Sequence, residues 1–360
     1  MSDNSKIEWT DASWPVTVGC DHVSPGCDNC YAAVLTSGRL AHLPEYAGLA
    51  EKGKFNGTVR CLPERMDWPS KWRKPKRIFV CSMSDLFHAS VPDEFIAKVF
   101  AAMASTPRHT FQVLTKRHAR LRSLVGSDEF RKSVQRRINY APPDDDYVTR
   151  HWKTWPLPNV WLGVSVEDQQ WADIRVPALV QTPAAVRFLS CEPLLGPVDL
   201  TRWMPAGIAK WHCGSCDTYY SGGWQETGPS CGRVGYWCGS HTGNGRPNDQ
   251  PISWVIAGGE SGGNSRPMHP QWARSLRDQC VDAGVPFLFK QWGNWQPYTG
   301  YEERRHLVQL WEWPQGTKYG PGQVGGVIAH MNRVGKKAAG RMLDGRTWDE
   351  FPRSLEQVAP

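Results

Sequence analysis

RIFVCSMSDLFH, residues 77–88, runs apolar and then turns polar. A strand buried on both faces of a parallel sheet reads as a continuous apolar run, and the polar residues after it emerge at a loop. The same reading repeats outward along the chain. TFQVLTKRHARL (110–121), NVWLGVSVEDQ (159–169), VRFLSCEPLLGPVDL (186–200), SWVIAGGESGG (253–263) and PFLFKQWGN (286–294) share the pattern. A further strand is predicted before Cys20. Helical stretches alternate with these runs. DEFIAKVFAAMAST (93–106) has apolar residues at helical spacing and acidic residues at its start. QWARSLRDQCVDAG (271–284) ends in a glycine suited to a C-cap. ADIRVPALVQT (172–182) is a weaker helix because Pro177 interrupts it.

About seven βα units predict an α/β fold with a parallel sheet, closed into a partial or full (β/α) barrel. Residues 1–203 and 251–294 form that barrel. Residues 204–250, rich in Gly, Cys, Trp and Tyr, read as an inserted metal-binding module, and 295–360 as a C-terminal extension. Residues 125–158 read as a polar, basic excursion between the third and fourth strands.

The 360 residues carry a formal charge of +7. That excess fits an anionic partner such as nucleic acid, and ordinary enzymes share it. Nineteen tryptophans serve either large cores or stacking on bases. No apolar run approaches the roughly 20 residues that span a bilayer, and the N-terminus lacks a basic-then-apolar signal. These features predict a cytoplasmic protein without a membrane partner. Structural disulfides are rare there, so the eleven cysteines point to metal ligands for some of them.

In barrels of this kind the active site lies at the C-terminal strand ends. Those ends carry Ser82, Ser84 and Asp85; Thr115 and Lys116; Ser165 and Glu167; Glu192; Gly258, Gly259, Glu260 and Ser261; and Lys290. So many polar groups at equivalent places predict an enzyme. The bland readings are specific too. Asp85 suits a cap for the next segment, and Lys116, Arg117, His118 and Arg120 suit a solvated basic face. The glycines at 258 and 259 would let a ligand approach the backbone.

GCDHVSPGCDNCYA places Cys20, Cys27 and Cys30 at C-x6-C-x2-C. Three thiolates can hold three irons of a [4Fe–4S] cube and leave the fourth open. A zinc site with His22 as fourth ligand is the alternative. Cys213, Cys216, Cys231 and Cys238 follow C-x2-C-x14-C-x6-C, a zinc-ribbon-like spacing. Cys61, Cys81, Cys191 and Cys280 read as small core residues.

The chain resembles a phage and prophage family of unknown function with a three-cysteine motif, and more distantly the radical SAM superfamily. WTDASWPVTVGCDHVSPGCDNCYA, RIFVCSMSDLFH, TFQVLTKRHARL, LPNVWLGVSVEDQ, VRFLSCEPLLGPVDL, WVIAGGESGGNSRPM, LRDQCVDAGVPFLFKQWG and GKKAAGRMLDGRTWDEFP carry the likeness. The superfamily usually spaces its cysteines C-x3-C-x2-C with an aromatic residue before the third. Here the first gap is six, and Asn29 holds the other position. The resemblance implies a [4Fe–4S] cluster on Cys20, Cys27 and Cys30, with S-adenosylmethionine (SAM) on its open iron. It implies that residues 82–85 hold the methionyl amine. Ser165 and Glu167 would reach ribose or carboxylate groups, and Thr115 and Lys116 the SAM carboxylate or a substrate phosphate. Gly258, Gly259, Glu260, Glu192 and Lys290 would complete the ring. It also implies an electron donor such as flavodoxin or ferredoxin, leaves room for a protein partner, and makes an auxiliary cluster the rival to zinc in the insertion. The expected function is radical modification or repair of nucleic acid or a nucleotide. The alternative is a zinc-dependent nucleic-acid-binding protein.

Overall fold

A computed structural model describes residues 5, 7–138, 154–205, 210–213, 218–221, 251–298, 307–312 and 327–352. Seven parallel strands build one sheet: β1 (Ala12–Trp14), β2 (Arg77–Val80), β3 (Thr110–Thr115), β4 (Val160–Ser165), β5 (Val186–Cys191), β6 (Trp254–Gly258) and β7 (Phe287–Gln291). Their spatial order is their chain order, β1 to β7. The sheet curls into a half-barrel. The apolar runs become strands because both faces are covered: every residue of β4 and β6 is buried.

Helix α1 (Tyr31–Ser37) follows the cysteine loop, and the convex face packs on helices α2 (Asp93–Ala104), α5 (Gln169–Val180) and α6 (Pro270–Ala283). Helix α6 starts on a His269 cap that accepts from the Gln271 amide, and ends on Gly284 at φ 67°. Helix α5 starts on Asp168, whose carboxylate accepts from the Trp171 amide, and runs unbroken through Pro177. Its buried Ala172, Val176 and Leu179 join the main core, so packing outweighs the hydrogen bond lost at the proline. The polar excursion after β3 also differs from its reading. Helix α3 (His118–Val125) leads into it and α4 (Asp128–Ile138) forms its first part, and Phe130 of α4 meets Phe100 of α2 edge-on at 5.2 Å.

The concave face holds a second core of Trp9, Phe79, Trp161, Phe188, Trp254, Ile256 and Leu288. Inward positions alternate along each strand, so the aromatic floor gives way to Ser165, Ser190 and Lys290 at the strand ends. Gly163 is required here, because a Cβ would lie 2.6 Å from the Phe188 ring. Trp9, Trp14 and Trp254 are among the largest fully buried side chains, so these tryptophans serve the core.

After β7 come β8 (Trp295–Pro297), β9 (Leu307–Glu312) and β10 (Val327–Arg333), paired antiparallel in the order β8–β10–β9. A short helix, α7 (Lys336–Ala339), follows. The chain then returns to the β7 edge. The Phe289 amide donates to the Trp348 carbonyl at 2.9 Å, and Phe351 stacks on Trp254 at 5.1 Å. Of the insertion, the described part is an antiparallel hairpin, Lys210–Cys213 with Thr218–Ser221. Cys216, Cys231 and Cys238 lie outside the described residues. Among the described residues, no helix is long and apolar enough to cross a membrane.

Candidate functional site

The C-terminal strand ends enclose a cavity of about 440 Å³. Its lining includes Cys20 and Cys30, then Ser82, Ser84, Asp85, Thr115, Lys116, Ser165, Glu192, Gly259, Glu260 and Lys290. Three of the expected residues stand just behind the wall. A Cβ on Gly26 would lie 2.5 Å from Glu167 Oε1, and one on Gly258 would lie 2.6 Å from Glu192 Oε1. Cys27 sits on the same loop as Gly26. A wider hollow of about 1300 Å³, lined by Pro75, Pro107, Pro286 and Phe351, lies at the opposite end of the sheet. It gathers none of the three clustered cysteines, so the chemistry belongs to the smaller cavity.

Asp85 is buried and saturated. Oδ1 accepts from the Phe87 amide at 3.0 Å and from Thr115 Oγ1 at 2.7 Å. Oδ2 accepts from the Lys116 amide and from Arg117 Nη1, both at 3.0 Å. A carboxylate has about four lone-pair sites, and all are taken. Arg117 is thereby aimed at the cysteine loop: Nη1 also donates to Cys20 Sγ at 3.7 Å, and Nη2 to Asp21. Burial raises the pKa of Asp85 against these donors.

Glu167 is fully buried and accepts from Ser24 Oγ at 2.7 Å, from Lys116 Nζ, and from Arg175 Nη1 at 2.9 Å. Burial alone would raise its pKa, but Lys116 and Arg175 outweigh that and hold it below the usual range. Arg175 stacks on Trp171 at 4.1 Å. Burial pushes the Cys20 thiol up to about 12 and raises that of Cys30. Each cysteine nevertheless has a cation in its field: Arg117 by Cys20, Arg175 by Cys27 and Lys116 by Cys30.

Glu260 holds the far side of the loop. Oε1 accepts from Arg266 Nη2 at 2.7 Å, and Oε2 from Asn29 Nδ2 at 2.9 Å and the Arg266 amide at 2.7 Å. Arg266 reaches on to Asp28 at 3.0 Å and to the Pro25 carbonyl at 2.8 Å. Gly259 is set by a backbone crossing, since a Cβ there would lie 2.1 Å from the Trp292 carbonyl oxygen. Ser84 bonds Thr17 at 2.6 Å, and Ser82 bonds Ser13. Lys290 Nζ stands 3.3 Å from Glu192 Oε1.

The strand-end residues thus converge as expected, while Asp85, Glu167 and Glu260 act as supports for the cysteine loop. Sequence reading missed Ser24, Asn29, Arg175 and Arg266, and placed Arg117 on a solvated face. Arg266 lies six residues after Glu260, a spacing that carries no signal unless the loop is known to turn back.

No curated protein and no solved structure matches the chain. One family, described as a protein of unknown function (DUF5131), matches residues 4–352. That span takes in all seven strands, the cysteine loop and the tail that returns to β7, and the chain belongs to the DUF5131 family.

Proposed function

We propose that the chain is an iron–sulfur enzyme of the radical SAM type that acts on nucleic acid or a nucleotide. One observation carries the reading: Cys20 and Cys30 open onto the same cavity as the polar ends of six parallel strands. Cys20, Cys27 and Cys30 would hold a [4Fe–4S] cluster. The donor set fits that group. Three thiols lie on one loop with no fourth beside them in the motif, and three cations offset the negative charge of a thiolate-bound cluster. His22 Nε2 pairs with Asp28 at 2.8 Å, which argues against a role as a zinc ligand.

When bound, the cluster and SAM would supply one-electron, hydrogen-abstracting radical chemistry. The chain supplies position and shelter. Asp85 and Arg117 hold Cys20, Glu260 and Arg266 hold residues 25–29, and the aromatic floor excludes water from below. Lys116 and Lys290 offer charge to a carboxylate or phosphate. Cys213, Cys216, Cys231 and Cys238 would hold zinc, and a flavodoxin or ferredoxin would deliver the electron.

Anaerobic reconstitution with iron and sulfide tests the reading. The protein should turn brown, bind about four irons and release 5′-deoxyadenosine from SAM under reduction. Replacing all three cysteines by alanine should remove colour and iron. Colour that persists in the triple variant, or a colourless protein that binds zinc at this loop, would overturn the proposal in favour of a zinc-dependent nucleic-acid-binding protein.

A further inference from the structure

The three cysteine sulfurs differ in what reaches them. Arg117 Nη1 donates to Cys20 Sγ at 3.7 Å, and among the described residues no other side chain donates to Cys20, Cys27 or Cys30. Arg117 is held at both ends. Its amide donates to Thr115 Oγ1 at 2.9 Å, while Nη1 also donates to Asp85 Oδ2 at 3.0 Å and Nη2 to Asp21. Asp85 is fixed in turn by Thr115 and by the amides of Phe87 and Lys116. Only 15% of the Arg117 side chain is exposed, so solvent ions screen its charge weakly.

Cys20 is fixed as well. Its carbonyl accepts from the Gly57 amide at 3.1 Å. Gly19, just before it, adopts φ 90° and bridges to Ser84, the neighbour of Asp85. A Cβ on Gly19 would lie 2.1 Å from the Thr58 carbonyl oxygen, so the backbone passes closely there. The N–H···S contact is therefore built into the strand ends and is not made by a loose surface side chain. Lys116 and Arg175 differ from Arg117. They share the carboxylate of Glu167 and, among the described residues, donate to no cysteine sulfur.

A cube held by three thiolates is an anion, and an added electron makes it more so. A cation beside a ligating sulfur stabilises that added charge, and hydrogen bonds to the sulfurs help to set the potential of such clusters. We infer that Arg117 raises the reduction potential of the cluster on Cys20, Cys27 and Cys30, through its N–H···S bond and its charge. The inference rests on the iron–sulfur reading above. In the step it governs, one electron passes from a reduced flavodoxin or ferredoxin to the cluster. The donor is oxidised as the cluster is reduced, and no bond forms or breaks.

A redox titration of the reconstituted full chain, without SAM, tests the inference through the electron paramagnetic resonance signal of the reduced cluster. Arg117→Gln should lower the equilibrium constant for reduction by about tenfold, which is about 59 mV in the midpoint for one electron. Arg117→Lys keeps the charge but not the guanidinium fork, and its midpoint should fall between the two. Iron content and a thermal melt confirm that each variant is loaded and folded. A guanidinium that only braced the loop would change iron content and leave the midpoint alone. Opening the site to water would raise the midpoint, because water favours the more highly charged form. An unchanged or raised midpoint in Arg117→Gln therefore overturns the inference and leaves the radical reading standing. If Arg117→Gln holds no cluster, the midpoint of Arg117→Lys decides, and a value equal to that of the unaltered chain overturns the inference. Loss of the cluster from both folded variants assigns Arg117 to cluster assembly and overturns it too. An unaltered chain that never holds iron sinks the radical reading, and the inference with it.

Discussion

Asp85 shows how one residue type supports two opposite roles. A carboxylate at a strand end suits the amine of a ligand, and the resemblance implied that role. The four donors that Asp85 accepts come from Phe87, Thr115, Lys116 and Arg117. Three of the four stand 30 or more positions away, so no local pattern could reveal them. Asp85→Ala should therefore act on stability first. It leaves Arg117 Nη1 and two backbone amides without their acceptor, while Arg117 Nη2 keeps Asp21, and loss of one partner from a buried charge pair costs up to about 3–5 kcal/mol. Urea unfolding should show that loss, and iron content after reconstitution should fall with it, because Arg117 loses its aim at Cys20. A variant with normal stability and full iron, impaired only in SAM binding, would restore the ligand role. The cysteines themselves were legible, since their spacing is local. Their supports, Arg175 and Arg266, were not.

At the level of elements, the strands were readable because burial on both faces leaves continuous apolar runs. Helix α4 was missed inside a polar stretch, although Phe130, Val134 and Ile138 recur every four residues and are buried. Only three apolar positions in eleven carry that face, too few to stand out from the charges around them. The connection into β3 carries a pH-sensitive contact of its own. His109 Nδ1 accepts from the Lys76 amide at 3.2 Å, and Nε2 lies 3.0 Å from the Pro69 carbonyl, to which it donates in the neutral form. Protonation of Nδ1 would remove the first bond. Burial, helped by the charges of Arg108 and Lys76, lowers the His109 pKa from 6.5. Below about pH 6.5 the unfolded chain binds a proton that the folded chain resists, so stability falls as pH falls. Above that value the contribution is fully present. Unfolding free energy measured from pH 7.5 to 5 should drop, and His109→Gln should flatten the slope. An identical slope in the variant would assign the pH dependence to other groups.

Across the whole molecule, the half-barrel leaves β7 as an edge, and exposed edges invite pairing with other chains. The tail covers it. Leu288 pairs with Asp349 in an antiparallel bridge, the Glu350 amide donates to the Phe287 carbonyl at 3.3 Å, and the Glu350 carboxylate accepts from the Phe287 amide at 3.0 Å. Trp348 lies under Arg346 at 3.5 Å and edge-on to Phe287 at 6.0 Å. Phe351 is half-buried; it packs against Trp254, and the Arg77 guanidinium lies 4.1 Å from its ring centroid. Arg77 begins β2 and Trp254 begins β6, so this ring ties opposite parts of the sheet across its concave face. The sequence read 295–360 only as a C-terminal extension, because the partners of Trp348 and Phe351 are strands far back in the chain. A chain ending at Met342 should therefore lose more than a tail. Removal of a buried aromatic side chain typically costs about 3–5 kcal/mol, and here Trp348 and Phe351 go together with the edge bonds. Stability should fall by at least about 3 kcal/mol, and light scattering should show self-association once β7 is bare. Trp348→Ala with Phe351→Ala in the full chain separates the two effects: it should lose stability yet stay monomeric, because backbone pairing at residues 348–350 still covers the edge. If the truncated chain proves as stable and as monomeric as the whole, β7 needs no cover and the tail has no part in holding the sheet's curl.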